Sequence, residues 1–472
     1  MRSQFLTDEA RETSEVIYTN VNLDPDKAYF LYVGEIKAYW LNSLMKRPLE
    51  KLYGKEIDFI AVVPDVLTRP SHRNLVVINS SAMDLYEKTG IHHNVRIPGS
   101  VFAAEVSANM YLKNLVDMLV DRQGSVYINM FESKETMSLV DGDSVRLVGP
   151  DPKLAHFLNN KLIQYEIVKN LGIPVPSGCG NESLASALES AKQILEQGHS
   201  VFVSGEYSAA GSNSIIADSV LEIEERFGGS EGKFIVTRFI EHEHDPTVLG
   251  IVAGEDQVYI ATVADQNIVG TQFKGSTYPT VLGEETVRDL KEMTRQIGAH
   301  IGKIGYRGVF GCDYIVGRNQ DIHFIEINAR KQGTTFETTL TMMHHLPGHP
   351  YFPELEFMAV TEGRLPEGIR EIDMGSEELC WGTHNFKVNV DIEIHRHLTP
   401  EGTQFELFEN AYKKEYTGKR YLIEDHVGDP IRQKAGGFLA RVIAVADNCG
   451  DVQSALSAGA EEVKRTFREV PE

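Results

Sequence analysis

Cysteine is scarce in this chain of 472 residues: Cys179, Cys312, Cys380 and Cys449 stand far apart. Such spacing indicates neither a disulfide framework nor a zinc cluster, and it suits a reducing cytoplasm. Long apolar runs are missing too. No stretch approaches the roughly 18 consecutive apolar residues that a membrane-spanning helix needs, and Met1–Glu15 is polar and charged rather than built like a signal peptide. Basic residues fall short of acidic ones, 46 against 68, leaving a net charge of −22. That excess argues against a nucleic-acid backbone and against an anionic membrane as partners. The first strand is followed by a solitary Gly34 in YVGEIKAYW, without G-x-G-x-x-G, so no dinucleotide site is expected there. Repeats and low-complexity tracts are absent as well.

What remains is the composition of a soluble globular protein, 42% hydrophobic and 24% charged, on a chain too long for one ordinary core. Between residues 28 and 150, apolar strands alternate with amphipathic helices. AYFLYV (28–33), DFIAVVP (58–64), NLVVINS (74–80), SVYINMF (125–131) and VRLVGP (145–150) read as strands, and 39–53, 81–88 and 108–122 as helices. The alternation predicts a parallel, doubly wound, Rossmann-like sheet. Two helices then flank the strand-like GIPVPSGCG (172–180), and strands follow at 199–204, 257–264 and 267–274. A helix at 284–302 carries the apolar stripe Val287, Leu290, Met293, Ile297 and Ile301. After residue 345 the pattern gives a strand pair at 381–398, a strand at 437–447 and a closing amphipathic helix.

Residues 306–337, YRGVFGCDYIVGRNQDIHFIEINARKQGTTFE, carry the chemistry. They read as a hairpin turning at Gly317–Asp321; a four-residue loop pairs Gly317 with Ile322 and places Asp313 opposite Glu326. Strand alternation puts Asn328 on the face of Glu326, together with Ile315, Ile322 and Phe324, and points Cys312 the other way as a buried small hydrophobe. Opposed carboxylates with Cβ atoms roughly 5 Å apart repel unless positive charge lies between them. An all-oxygen donor set selects Mg²⁺ or Mn²⁺, ions that complete their shell with substrate phosphates. Gly311 falls opposite Asn328 and leaves space above the metal, while Arg330 offers a fork suited to phosphate oxygens.

A strand near G-x-D-x-x-V, a second strand with E-x-N and an Arg shortly after closely resemble the ATP-grasp superfamily. The resemblance covers about residues 150–340. It implies that Asp313 holds one Mg²⁺, Glu326 bridges two and Asn328 holds the second, and that Arg330 and Lys161 act on the transferring phosphate. Lys161 matches because it precedes a helix ending in G-I-P-x-P. The segment 233–254 resembles the hinge that grips adenine, with Phe239 or Ile240 packing on the base and Glu241, Glu243 or Asp245 as candidates for the ribose. Two positions depart from the pattern: Ser204 stands where a second phosphate-binding Lys is common, and Thr237 where a Glu is common. The loop Gly205–Ser214, through Gly211, its serines and its backbone N–H groups, is expected to close over the nucleotide instead. His242-Glu243-His244 is not read as a metal site, and His344-His345 reads as a helix cap in preference to a pair facing the acceptor site.

The expected architecture is α/β: a Rossmann-like domain at 1–150, an ATP-grasp region of two α+β lobes clamping ATP at 151–345, and a C-terminal α+β module at 346–472. That order is similar to the stand-alone peptide ligases of the pheganomycin type. The resemblance implies a cytoplasmic carboxylate–amine ligase using ATP with Mg²⁺ or Mn²⁺ and small-molecule substrates, amino acids or peptides among them, with a homodimer as its open assembly. Two alternatives stand beside it. EINARKQGTTFE also resembles biotin carboxylases, with Glu337 in place of their carboxylate, although no M-K-M carrier sequence is present. The other is a nucleotide-binding regulatory protein without turnover, for which Ser204 and Thr237 speak and the clustered acids do not.

Overall fold

A computed structural model describes residues 16–66, 72–208, 213–372, 379–395, 421–425 and 430–467. The chain forms two compact units. One comprises Met1–Pro152, Gly333–Arg370 and Gly375–Glu472; the other comprises Lys153–Gln332 with Glu371–Met374. The expected break near residue 150 therefore falls at 152/153, while the residues after 332 fold mostly with the N-terminal ones.

In the first unit, strands Leu75–Val77, Ile57–Val63, Ala28–Val33, Val126–Met130 and Val145–Val148 lie side by side in that order, parallel throughout, with Tyr18–Thr19 antiparallel at the edge. Every residue of Ala28–Val33 is buried, the continuous apolar run of a strand covered on both faces. Phe30 and Tyr32 join Met45 and Leu49 of the helix Leu41–Tyr53 in one cluster. Tyr29, Leu31 and Val33 join Leu112, Leu115 and Leu119 of the helix Met110–Gln123 in another, which makes the sheet doubly wound. The sequence reading missed the helices Gly99–Ala108 and Phe352–Thr361 in this unit. Gly99–Ala108 shows why. It opens on Pro98 without a side-chain cap, and Asn109 both ends it and caps the next helix by accepting from Leu112 N–H.

The 381–398 strand pair resolves differently. Cys380–Lys387 pairs with Phe438–Ala446, and Ile392–Ile394 pairs with Ile431–Gln433, so the two segments have separate partners; residues 396–398 lie outside the described residues. The closing helix Cys449–Thr466 buries Val452, Leu456 and Val463, and His344 and His345 fill the last turn of the helix Thr335–His345.

The second unit has two antiparallel layers. Ser214–Ala217, Val201–Gly205, Phe234–Arg238 and Gly178–Asn181 form a four-stranded sheet backed by the helices Leu184–Leu195 and Val220–Phe227. The strand expected at 172–180 is confined to Gly178–Asn181, because Pro174 and Pro176 have no N–H to give a ladder. Three helices rather than two flank it, Pro152–Leu158 being separate from Lys161–Asn170. In the other layer Ile322–Asn328, Gly308–Val316, Pro246–Gly254, Gln257–Val269 and Gln272–Tyr278 follow one another. The strands expected at 257–264 and 267–274 are divided elsewhere: polar Asp265 and Gln266 read as a break but pair with Thr277 and Ser276, and the turn comes at Gly270, where φ is 62°. No helix among the described residues is long and apolar enough to cross a membrane.

The helix Glu284–Lys303 covers this layer, with Val287, Leu290, Ile297 and Ile301 in its core. Gly298 sets how closely it approaches, since a Cβ there would lie 2.6 Å from Val258 Cγ1 and 2.9 Å from Phe310 Cζ. Helix propensity alone makes Gly→Ala favourable by about 1 kcal/mol. Over-packing a stiff Val and a buried ring costs about 1–3 kcal/mol, so Gly298→Ala is predicted to lower the melting temperature. A rise on calorimetric melting would show that the helix lifts freely.

Candidate active site

Asp313 pairs with Glu326 and Gly311 with Asn328, the register read from sequence. The turn, however, is one residue longer than expected: Val316, not Gly317, pairs with Ile322, and Gly317 N–H donates to the Asp321 carbonyl. A bulge after Asp313, with Ile325 as the extra residue, restores the register. The two displacements cancel at the acids but not beyond them. Ile322 and Phe324 consequently join Cys312, Tyr314 and Val316 in the core instead of sharing the face of Asp313, and the rings of Phe324 and Tyr314 stand 5.9 Å apart, edge to face. Burial pushes the Cys312 thiol upward, as suits a core residue.

A third strand completes the surroundings of Asp313. Thr247 is its ladder partner on Pro246–Gly254, and the Thr247 hydroxyl donates to Asp313 Oδ1 at 2.7 Å. Gln332 Nε2 approaches the same oxygen at 3.3 Å, and Asn328 Nδ2 donates to Oδ2 at 2.9 Å. Arg330 Nη2 donates to Asn328 Oδ1 at 2.7 Å. Despite these donors, burial first and the Glu326 charge second raise the Asp313 pKa above the usual carboxylate range. The space expected over Gly311 is filled: a Cβ there would lie 2.3 Å from Gln332 Oε1. Thr247 and Gln332 were missed in sequence because only the ladder to a strand some 66 residues away reveals Thr247.

Lys161 reaches this face. It is the first residue of Lys161–Asn170, capped by Asn160, whose side chain accepts from Leu162 and Ile163 N–H. Its Nζ forms an ion pair with Glu326 Oε2, both side chains being mostly buried. Gln164, one turn on, clamps the helix to the hairpin: its amide donates to the Ile327 carbonyl and accepts from Ile327 N–H, each at 2.8 Å. Asn159 Oδ1 accepts from Ala329 N–H at 3.2 Å. These contacts aim Lys161 at Glu326, and Lys161 N–H also donates to the Glu206 carbonyl at 2.8 Å. The oxygens of Asp313, Glu326 and Asn328 are thus gathered beside two cations, Lys161 and Arg330. A hard divalent ion fits that donor set of two opposed carboxylates and an amide oxygen, since it would offset the repulsion between the carboxylates.

The remaining candidates are placed as follows. Ser204 faces inward, fully buried, its hydroxyl 3.1 Å from the Gly205 carbonyl and 3.2 Å from the Asn213 carbonyl, because its strand lies between two others. Thr237 is likewise buried within its strand, paired with Phe202 and Gly178. Phe239 and Ile240 are half-buried just past that strand, and the Ile240 carbonyl accepts from His242 Nδ1. Of the ribose candidates, Asp245 is paired with His242 and Glu243 with Arg318, while Glu241 is exposed. The bond to Asp245 raises the His242 pKa. Gly211 lies outside the described residues. Glu337 belongs to the other unit, where it is fully buried against Arg441, with a pKa raised by that burial.

Residues 158–334 match the ATP-grasp domain family. Among curated proteins, the chain is similar to L-propargylglycine–L-glutamate ligase of Streptantibioticus cattleyicolor, 31% identical over 100 residues, 21% of this chain and 20% of that protein. It is also similar to the [butirosin acyl-carrier protein]–L-glutamate ligase of Niallia circulans, 23% identical over 197 residues, 40% of this chain and 47% of that protein. The chain thus spans less than half the length of these two relatives. Among solved structures, the biotin carboxylase domain of Hydrogenobacter thermophilus 2-oxoglutarate carboxylase superposes with a TM-score of 0.63 at 15% identity, covering 92% of this chain and 89% of that one. N5-carboxyaminoimidazole synthase from Aspergillus clavatus, in complex with ADP and 5-aminoimidazole ribonucleotide, does so with a TM-score of 0.57 at 12% identity, covering 94% and 100%. At such identities the likeness is one of fold. Residues 158–334 are thus an ATP-grasp domain.

Proposed function

We propose that this protein is an ATP-dependent carboxylate–amine ligase that forms ADP and orthophosphate. The observation that carries this reading is the gathering of Asp313, Glu326 and Asn328 on one face beside Lys161 and Arg330. A scaffold has no use for two opposed carboxylates; a phosphoryl-transfer enzyme does. Asp313, Glu326 and Asn328 would hold Mg²⁺ or Mn²⁺, which when bound neutralises phosphate charge. Lys161 and Arg330 bind and orient the phosphate oxygens, and with Ser204 turned inward they are the main protein cations there. Phe239 and Ile240 pack on adenine, and Glu241, exposed and outside the ion pairs that hold Glu243 and Asp245, takes the ribose.

In the reaction, a substrate carboxylate oxygen attacks the γ-phosphorus, giving an acyl phosphate and ADP. An amine nitrogen then attacks the acyl carbon, orthophosphate leaves, and the nitrogen sheds its proton. The names of both curated relatives carry L-glutamate ligation, so L-glutamate is the first substrate to test.

Incubation with Mg-ATP and pools of amino acids and small carboxylic acids should release ADP and orthophosphate; pyrophosphate in their place would refute the acyl-phosphate route. Bicarbonate-dependent ADP formation would favour carboxylation instead, and nucleotide binding without turnover in any pool would favour a regulatory protein. Asp313→Asn and Glu326→Gln should each cut turnover by orders of magnitude while the fold persists, and wild-type rates in either would remove the metal assignment. Lys161→Ala should weaken ATP binding by about 1.5–3 kcal/mol through loss of charged hydrogen bonds. An unchanged calorimetric constant would place the phosphates elsewhere.

A further inference from the structure

Cys380 and Cys449 are 69 residues apart in sequence, yet their Sγ atoms stand 2.9 Å apart. The topology accounts for the meeting. Cys380 opens the strand Cys380–Lys387, and its ladder partner Ala446 is the last residue of Phe438–Ala446. Asp447 and Asn448 then turn the chain, and Asn448 caps the closing helix by accepting from Asp451 N–H at 2.9 Å. Cys449, the first residue of that helix, is thereby delivered over Cys380. The helix is also seated firmly on this strand. A Cβ at Gly382 would lie 2.6 Å from Leu456 Cδ1 and 2.9 Å from Val452 Cγ1, so only glycine permits the approach. At Gly459, on the helix itself, a Cβ would lie 2.5 Å from Val442 Cγ1. The two thiols differ in access: Cys380 is 2% exposed, whereas Cys449 is on the surface.

We propose that Cys380 and Cys449 are a redox-active pair that closes to an intramolecular disulfide on meeting a hydroperoxide, stapling the closing helix to the strand beneath it. Neither cysteine is in a disulfide, and the ligase reading gives neither of them a task. The exposed Cys449 thiolate attacks the peroxide oxygen, the O–O bond breaks, and Cys449 becomes a sulfenic acid as the other oxygen leaves as alcohol or water. Cys380 Sγ then attacks Cys449 Sγ; the S–S bond forms, and hydroxide departs with the Cys380 proton as water. The two electrons lost by the sulfurs reduce the peroxide. A thiol reductant reverses the step by exchange. The other cysteines have no such neighbour among the described residues: Cys312 is enclosed in the core, and Cys179 lies on the surface of the other unit.

The test uses the full-length chain, reduced, treated with hydrogen peroxide, alkylated under denaturing conditions and digested. Cys380 and Cys449 should be recovered in one disulfide-linked peptide pair with Cys179 and Cys312 alkylated. The oxidised protein should melt several degrees above the reduced one, since the cross-link restricts the unfolded chain. Cys449→Ser and Cys449→Ala, changes at an exposed position, should abolish both the linked peptide and the melting shift. Recovery of both cysteines alkylated, of Cys449 as sulfinic acid beside an alkylated Cys380, or of Cys449 linked to Cys179 of another chain would overturn the proposal.

Discussion

Two carboxylates held face to face on neighbouring strands need a positive charge between or beside them, and the second unit is organised around that need. Asp313 and Glu326 are opposed by ladder register, which neither side chain can escape without a change of strand pairing. Burial sharpens the conflict, since it disfavours the ionised form and raises the Asp313 pKa. The chain answers from two sides: hydrogen-bond donors from Thr247, Gln332 and Asn328 gather at Asp313, and the Lys161 ammonium meets Glu326. A divalent cation would answer the same need more fully, which is why the site reads as one for metal and phosphate.

The positions of those helpers follow from backbone pairing, not from chance side-chain reach. Gln164 exchanges two hydrogen bonds with the backbone of Ile327, one residue from Glu326, so helix and hairpin keep a fixed offset. Thr247 is placed by the ladder to the third strand, and Gly250 and Gly298 let the covering helix and its strand close on Phe310. The path from sequence to site therefore runs through two ladders and one helix cap.

Much of this was legible because side chains in strands alternate with period two. That period turns Cys312 inward, and together with the loop length it puts Asp313, Glu326 and Asn328 on one face, a result that holds because the longer turn and the bulge cancel. The same argument misplaced Ile322 and Phe324, since a bulge resets the alternation and leaves no mark in composition. The parallel sheet of the first unit was plain in the alternation of apolar strands with amphipathic helices, whereas Gly99–Ala108 lacked a capping residue to announce it. Contacts made across long stretches of chain were beyond reach: the Thr247 hydroxyl on Asp313, the Gln332 amide over Gly311 and the meeting of Cys380 with Cys449 all depend on which strands become neighbours. The resemblance to ATP-grasp proteins implies a phosphate role for Lys161, and the geometry adds its partner, Glu326.

The most direct measurement is a Mn²⁺ titration of the protein with a non-hydrolysable ATP analogue, followed by electron paramagnetic resonance, on the wild type and on the Asp313→Asn, Glu326→Gln double variant. If the opposed carboxylates hold the cation, the wild-type complex binds Mn²⁺ with an immobilised spectrum, and the double variant shows only the spectrum of Mn²⁺ on free nucleotide. An immobilised spectrum of equal affinity in the double variant would contradict the account.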